Sequence, residues 1–324
     1  MITIQPKSAR LIENQDLEEE EAKILTYIKR EDPKLEESYL LNLQAGRKGI
    51  FQRLFQALIR EKIIKEERIS WLKGVGTIIC IKLPSGKKLQ TIVKKRHSLG
   101  RFDIEGDLFV NFNGSFSELI HPVELLELLW NEGLLKDVTE KQFYRFKMEI
   151  QNGVANLALA LAGASLRKQE LVTSANLKHI HTSLEWVLKK SNDNKNFSPL
   201  TFYEQWVVEG HPLHPGAKTK FGLDVEDVIQ YSPEWGATPK VTLVAVAKDY
   251  CQTTSIDTHT VTTCLFQEYE GLKSTVEVIL KDQELDPSRF ELIPVHPWQF
   301  KHTLGTLYKE EIEQKRIVPI SNFR

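Results

Sequence analysis

The chain has 324 residues, of which 41% are hydrophobic and 27% charged, so it is long enough for two folded domains with a sizeable core. Its formal net charge of −1 excludes an overall field that would favour nucleic acid or a membrane surface, and any recognition of anions must be local. Three widely spaced cysteines indicate thiols of a reducing cytoplasm rather than a disulfide framework. Residues 1–21 lack the apolar core of a signal peptide, and no apolar run reaches the roughly 20 residues of a membrane helix.

The first part of the chain predicts helices followed by a small sheet. Acids at Asp16 and Glu18–Glu21 mark a helix start, where the helix dipole favours negative charge and where we expect solvated side chains. Apolar residues recur at helical spacing within 40–64. The period then changes to the alternation typical of a β-hairpin and further short strands. Their predicted ranges are Thr77–Leu83, Lys88–Val93, Phe102–Ile104 and Leu108–Phe112.

Helices resume in the middle of the chain. Pro122 suits the first turn of a helix, and Thr139 opens a long helix to about Lys168 whose alanine-rich middle favours close packing against another helix. The segment Ser191–Ser198 is rich in Ser, Asn, Asp and Lys and is the predicted linker. We therefore expect a mostly helical domain at 1–192 and an α+β domain at 193–324.

The last part of the chain predicts an antiparallel sheet with one covered face, because apolar and polar residues partly alternate in three runs. These runs are Val241–Ala247, Thr260–Phe266 and Thr275–Leu280.

The segment Glu209–Asp224 carries the strongest functional signal. Between Gly210 and Leu223 it holds two histidines, two lysines, three glycines and two prolines, but no acid. Each histidine precedes a proline, which pushes the preceding residue toward extended geometry and holds His211 and His214 on a stiff backbone. Glycines allow turns and close backbone approach. We interpret the segment as a rigid cationic loop for a polyanion, such as the phosphates of a nucleotide.

Two other interpretations of this segment stay open. Each of its elements alone is typical of an ordinary loop, since His-Pro pairs occur at loop boundaries and lysines are usually solvated. His-x-x-His could also supply two metal ligands, but zinc needs further ligands and no Cys or carboxylate lies at suitable spacing within the loop. His259 and His296 could contribute to a metal site only through the fold.

The same segment resembles the first signature of a known family. The pattern Gly-His-Pro-x-His-Pro-x-x-Lys-x-(Arg or Lys)-x-Gly matches Gly210–Gly222, and Pro294–Gln299 is similar to a second signature, Pro-x-His-Pro-Trp-Gln. Both are typical of the NRPS-independent siderophore synthetases, the IucA/IucC or aerobactin synthetase family. The resemblance covers most of the chain, and its first seventy residues contribute least.

The resemblance implies an α+β fold described as a hand. A helical thumb domain with a small β-hairpin or sheet would precede an antiparallel-sheet fingers domain, and the C-terminal palm would be missing from this chain. It also implies a cytoplasmic ligase of siderophore biosynthesis and iron acquisition. Such an enzyme uses ATP to adenylate citrate or a citrate derivative and then condenses it with an amine or alcohol.

The resemblance also implies roles for residues of the two signatures. His211, His214 and Lys218 would line the phosphates of ATP, together with Lys220, which stands where many members have arginine. Lysine there keeps the charge but loses the bidentate geometry of arginine. The His-Pro-Trp-Gln string also fits a packed tryptophan at a strand end. By the resemblance, its His296 and Gln299 would contact the nucleotide or the acyl substrate.

A third signature of the family, Ser-x-Arg-Thr, is matched only in part. Arg324 would be its arginine and a further contact to ATP, whereas Asn322 stands at the serine position. Ser321 could substitute for that serine with an offset of one residue.

The absent palm leads to further expectations. It would supply the acids for Mg²⁺ and much of the citrate site, so we assign no metal ligand within this chain and expect weak or no activity from it alone. The chain could act as a homodimer or with a complementing palm chain. The alternative function is that of a truncated, non-catalytic paralogue serving as a binding or interaction module.

Overall fold

A computed structural model describes residues 16–65, 67–72, 76–177, 180–254 and 259–320. The chain divides into two compact units, Met1–Ala237 and Thr238–Arg324, and each has its own hydrophobic core. The predicted linker Ser191–Ser198 lies inside the first unit, and the division into domains at 192/193 stays a prediction. Among the described helices, none combines the length and apolarity needed to cross a membrane.

The first unit combines helices with one antiparallel sheet. Its described helices are α1 Glu19–Glu31, α2 Leu35–Arg60, α3 Pro122–Asn131, α4 Glu140–Leu177, α5 Ser183–Asp193, α6 Pro199–Glu204 and α7 Val225–Tyr231. Its described strands are β1 Glu67–Leu72, β2 Gly76–Lys82, β3 Lys88–Arg96, β4 Phe102–Ile104, β5 Leu108–Phe112 and β6 Ser115–Leu119.

The sheet has the order β1-β2-β3-β5-β6, with β4 also paired to β3. The predicted hairpin is confirmed, with Lys82 opposite Lys88 at the turn. The short strands β4 and β5 are confirmed as well, whereas β1 and β6 were not predicted. Buried residues of β2 and β3, including Ile81 and Leu89, form one core with Phe55 of α2 and Leu125 of α3.

Helices α2 and α4 pack closely because small residues line their contact. A Cβ added at Gly46 of α2 would lie only 3.0 Å from the Cβ of Ala158 on α4. Ala155 and Ala162 of α4 are fully buried in the same core. The predicted alanine-rich packing face is confirmed. The helix itself extends beyond the predicted end, to Leu177.

The acidic start of α1 is confirmed, but the expectation that its acids are all solvated is wrong for Glu21. Glu21 is fully buried and accepts hydrogen bonds from Arg47 of α2, with its Oε1 at 2.7 Å from Nε. The hydroxyl of Tyr39 also contacts the backbone carbonyl of Glu21, at 3.3 Å. A buried carboxylate needs such a partner, and Arg47 lies too far along the chain for local sequence to reveal it.

The second unit is built on a three-stranded antiparallel sheet of order β8-β7-β9. Its strands are β7 Thr242–Ala247, β8 Phe290–Val295 and β9 Ile317–Ile320, and the prediction of a strand at 241–247 is confirmed. Its described helices are α8 Val261–Glu268, α9 Leu272–Lys281, α10 Pro297–Gln299, α11 Gly305–Leu307 and α12 Lys309–Glu313. A π-helical turn, Phe300–Leu304, joins α10 to α11.

The strands predicted at 260–266 and 275–280 are wrong, because both runs are helical. The side chain of Thr260 caps α8 by accepting the backbone N–H of Thr263. In α9, Leu272, Val276 and Leu280 recur every four residues and are all buried against the sheet. This helical period was hidden among β-branched residues, which favour strands in isolation.

Candidate functional site

The two histidines of the loop between α6 and α7 adopt the same local geometry. Nδ1 of His211 accepts the backbone N–H of Leu213 at 3.3 Å, and Nδ1 of His214 accepts that of Gly216 at 3.1 Å. The proline between donor and acceptor has no N–H to compete. A neutral imidazole that accepts at Nδ1 carries its proton on Nε2. Since both side chains are exposed, each offers an Nε2–H donor to a ligand.

This His-Pro turn also occurs where it serves the fold. Nδ1 of His121 accepts the N–H of Val123 at 3.1 Å and caps α3. His121 is only 3% exposed, and burial lowers its pKa to about 3, with Arg47 and Lys147 adding to the effect. The turn therefore sets the orientation of the ring, and exposure decides whether the second nitrogen can meet a ligand.

Lys218 and Lys220 share one carboxylate. Nζ of Lys218 donates to Oε1 of Glu234 at 2.8 Å, and Nζ of Lys220 lies 3.2 Å from the same oxygen. Lys220 also donates to the hydroxyl of Ser232 at 2.6 Å. The Lys218 side chain is 5% exposed and that of Lys220 19%. With two ammonium groups and one carboxylate, this cluster of Lys218, Lys220 and Glu234 keeps a net positive charge.

Burial and charge act in opposite directions on this cluster. Burial lowers the pKa of Lys218, and the Glu234 carboxylate opposes this while Lys220 and Arg53 reinforce it. Burial raises the pKa of Glu234, but the hydrogen bond and charge of Lys218 outweigh it and leave that pKa below its usual value. The pair is thus held in its charged form by mutual attraction.

Helix α4 anchors the loop beside these lysines. The Thr219 hydroxyl donates to the backbone carbonyl of Glu149 at 2.9 Å, and the backbone N–H of Lys220 donates to Oδ1 of Asn152 at 2.8 Å. Gly153 follows Asn152 on α4. A Cβ added there would be 3.4 Å from the Thr219 hydroxyl oxygen, an ordinary contact distance, so the loop packs directly against this part of the helix.

The turn that carries Glu234 is fixed to the same helix further along. A Cβ added at Gly163 of α4 would lie 2.7 Å from the ring of Trp235, so the indole occupies the space a side chain would take. Arg167 of α4 donates to the backbone carbonyl of Glu234 and lies 4.6 Å over the ring of Trp206.

Helix α2 holds the start of the loop. Arg53, only 4% exposed, donates to Oε2 of Glu209 at 2.9 Å and to the backbone carbonyl of Glu209 at 3.0 Å. At the next residue, a Cβ added at Gly210 would lie 3.7 Å from Cε of Lys218. The loop therefore folds back so that its first glycine packs on the lysine side chain.

The other predicted site residues belong to the second unit. His296 accepts the backbone N–H of Trp298 at 3.2 Å and so caps the turn at α10, while Gln299 is exposed. The ring of Trp298 stacks on that of His302 with centroids 4.9 Å apart. Ser321 and Arg324 lie outside the described residues. Of the predicted site residues, His211, His214, Lys218 and Lys220 thus lie on one loop of the first unit, and His296 and Gln299 lie in the second.

Sequence reasoning missed Glu234, Ser232 and Arg53. None shares a motif with the loop, and their relation to Lys218 and Lys220 exists only through folding. The one local signal was the Ser-Pro-Glu string, in which Ser232 precedes a short helical turn opened by proline. For metals, no three His, Cys, Asp or Glu side chains within the described ranges are grouped as a metal site would require.

The architecture is similar to that of solved synthetases. The petrobactin biosynthesis protein AsbB of Bacillus anthracis aligns with a TM-score of 0.65 at 19% identity, over 94% of this chain and 44% of that one. The aerobactin synthetase IucC of Klebsiella pneumoniae aligns with a TM-score of 0.59 at 16% identity, over 86% of this chain and 44% of that one. The chain has the mixed helical and antiparallel-sheet fold of these proteins.

The sequence model of the IucA / IucC family matches residues 199–324, which include both His-Pro signatures. The D-ornithine–citrate ligase of Staphylococcus aureus is 26% identical over 84% of this chain and 41% of its own length. The staphyloferrin A synthase of the same organism is 26% identical over 84% of this chain and 45% of its own length. The chain therefore spans less than half the length of these relatives.

Proposed function

We propose that the chain forms part of an ATP-dependent siderophore synthetase that adenylates a citrate-type carboxylate and condenses it with an amine or alcohol. Two relatives support this proposal: the D-ornithine–citrate ligase of Staphylococcus aureus and the citryl-spermidine/3,4-dihydroxybenzoyl-citryl-spermidine:spermidine ligase of Bacillus anthracis. The phosphate tail of ATP would bind the loop 209–224. No observation on the described residues favours the alternative of a non-catalytic binding module.

One observation carries the proposal: the cationic loop is rigid and presents two kinds of donor. His211 and His214 offer Nε2–H groups whose orientation is fixed by the backbone. Lys218 and Lys220, with Glu234, supply a net positive charge on the same loop. Donors and charges that are fixed before the reaction stabilise developing negative charge without the cost of reorganising solvent.

The proposed chemistry needs this kind of site. A carboxylate oxygen of the acid attacks the α-phosphorus of ATP, and the bond from that phosphorus to the bridging oxygen breaks to release pyrophosphate. The amine nitrogen or alcohol oxygen then attacks the acyl carbon, loses its proton, and AMP leaves. Negative charge grows on the departing pyrophosphate, and each charge-assisted hydrogen bond to it would contribute about 1.5–3 kcal/mol.

We assign His211, His214, Lys218 and Lys220 to the phosphates of ATP, with Arg324 as a further contact on its match to the third signature. His296, Gln299 and Ser321 are assigned to the nucleotide or acyl substrate on their signatures alone. Mg²⁺ would accompany ATP, and we assign none of its ligands to the described residues. A cytoplasmic location would suit an enzyme that consumes ATP.

The proposal is tested by titrating the purified chain with ATP, ADP and AMP in Mg²⁺ buffer and measuring heat of binding. If the loop binds the phosphate tail, affinity rises with each added phosphate, and added salt weakens ATP binding more than AMP binding. Equal affinities for the three nucleotides, or no binding of ATP, would contradict the proposal.

A further inference from the structure

Glu234 stands out because it is an acid in contact with both lysines of a loop interpreted as an anion site. Its carboxylate is 6% exposed and lies 2.8 Å from Nζ of Lys218 and 3.2 Å from that of Lys220. An acid so placed either competes with a ligand for the two ammonium groups or holds them in place for it. The surroundings of Glu234 distinguish these roles.

The position of Glu234 is set from outside the loop. Trp235 fills the space above Gly163, and Arg167 donates to the carbonyl of Glu234, so helix α4 fixes the backbone at Glu234 and at the residue after it. A carboxylate that moved aside would leave Lys218 without a counter-charge unless the ligand itself reached this ammonium group, whose side chain is only 5% exposed. Breaking a buried ion pair in this way is strongly unfavourable. The geometry therefore fits a fixed acid better than a displaceable one.

The two lysines are not equivalent in this arrangement. Lys218 is almost fully buried, and its described hydrogen bond is to Glu234. Lys220 is more exposed and makes a longer contact with the same carboxylate, while Ser232 holds its ammonium group from another side. An ammonium group has three N–H donors, so Lys220 can donate one hydrogen bond to a ligand while it keeps its contacts with Glu234 and Ser232.

We propose that Glu234 is a positioning residue of the phosphate site, whose carboxylate fixes the ammonium groups of Lys218 and Lys220 for a triphosphate tail. The inference rests on the proposed function and deepens it. Without the carboxylate, the buried ammonium group of Lys218 loses its hydrogen-bond acceptor and counter-charge, while the charges of Lys220 and Arg53 still disfavour its own. The buried Lys218 then sheds its proton most readily, because desolvation and like charge both disfavour its charged form.

The test compares wild type with Glu234→Gln, which keeps the shape and removes the charge. The probes are inorganic tripolyphosphate and AMP, and affinity is measured by calorimetry between pH 7 and pH 9. We expect Glu234→Gln to bind tripolyphosphate about tenfold more weakly, with a loss that grows as pH rises, and to change AMP binding far less. Glu226→Gln, on the exposed face of α7, is the matched control and should behave as wild type.

A second variant keeps the test decisive if Glu234→Gln folds poorly. In Lys218→Met with Glu234→Gln the buried charges are removed together, which a core often tolerates. This double variant should still bind tripolyphosphate weakly, because Lys220 has lost its anchor, but the added loss toward high pH should disappear with Lys218.

The outcomes separate the two proposals. Unchanged or tighter tripolyphosphate binding by a folded Glu234→Gln variant would overturn the positioning role and point to a competing acid instead. Equal losses for tripolyphosphate and AMP would overturn it too, because a general structural defect gives that pattern. If wild type bound neither tripolyphosphate nor ATP, the proposed function would fail and this inference with it.

Discussion

Oδ1 of Asn152 accepts the backbone N–H of Lys220 at 2.8 Å, so helix α4 is fastened to the loop at the lysine that is the more exposed of its pair. The same amide group donates to Oε2 of Glu20 at 2.6 Å. One buried side chain thus ties α1, α4 and the loop together. The site depends on the helical core for its shape.

Asn152→Ala should weaken phosphate binding. The substitution leaves the backbone N–H of Lys220 without its acceptor and frees that part of the loop from α4. We expect a loss of about 1–2 kcal/mol in unfolding free energy, together with a several-fold lower affinity for tripolyphosphate. Asn196→Ala, at an exposed position of the 194–198 turn, serves as the control. Urea unfolding and calorimetry measure the two effects, and full affinity in the variant would show that this anchor does not shape the site.

The His-Pro turn occurs at exposed positions in the loop and at a buried position at the start of α3, so the same His→Ala substitution can be compared in both environments. His211→Ala and His214→Ala each remove an exposed donor and should lower ATP affinity about tenfold at nearly unchanged stability. His121→Ala removes the buried cap of α3 and should cost about 1–2 kcal/mol of unfolding free energy instead. Thermal melts and ATP titrations on the three variants check the contrast. Loss of stability in all three, with no separate effect on ATP, would assign the loop histidines to structure alone.

Gly163→Ala should disturb the carboxylate of Glu234 from a distance. The added Cβ would meet the Trp235 ring at 2.7 Å, and moving that ring shifts the neighbouring Glu234. Overpacking of this kind costs about 1–3 kcal/mol, partly offset by the better helix propensity of alanine. Gly305→Ala is the control, because no atom lies within 4 Å of its added Cβ. Equal unfolding free energies for the two variants would contradict the packing argument.

His121 should make stability depend on pH below neutrality. Burial lowers its pKa in the folded state to about 3, below the value of 6.5 for an unperturbed histidine. The unfolded chain therefore binds a proton that the folded chain does not, so stability is complete above about pH 6.5 and falls as pH decreases toward 3. From pH 7 to pH 5 this group should remove about 2 kcal/mol of unfolding free energy.

His121→Asn, which keeps a capping side chain, isolates that contribution. Urea unfolding at pH 5 and pH 7 should show a smaller pH dependence for the variant than for wild type. Equal dependence in both proteins would mean that other groups cause the effect.

Much of the fold was predictable where the sequence carries a clear period. The hairpin from Thr77 to Val93 combines alternation with a turn, and the pairing of β2 with β3 confirms it. Strands were wrongly predicted within residues 260–280, because Thr and Val favour strands. The spacing of Leu272, Val276 and Leu280, which places them on one buried face of a helix, is the signal that would have indicated α9. Tertiary burial decided between the two patterns.

Only the local features of the candidate site, such as its stiff backbone, were predictable from the sequence. The proline after each histidine predicted a stiff backbone at His211 and His214, whereas the orientation of the rings is seen only in the structure. The partner of Lys218 could not be predicted, because Glu234 lies 16 residues away along the chain, in a turn whose Trp235 packs on α4. The burial of Glu21 against Arg47 could not be predicted either, because the two residues are distant in sequence and meet only in the folded chain. Local chemistry predicts which groups are stiff, whereas the neutralising partner depends on how distant helices meet.

The most direct test of the central claim is a side-chain ¹H–¹⁵N spectrum of the histidines, recorded while the chain is titrated with ATP in Mg²⁺ buffer. The account predicts that Nε2 of both His211 and His214 shifts as its N–H donates to phosphate, that tripolyphosphate reproduces these shifts, and that the buried His121 does not respond. Saturable ATP binding with both loop histidines unmoved would contradict the account.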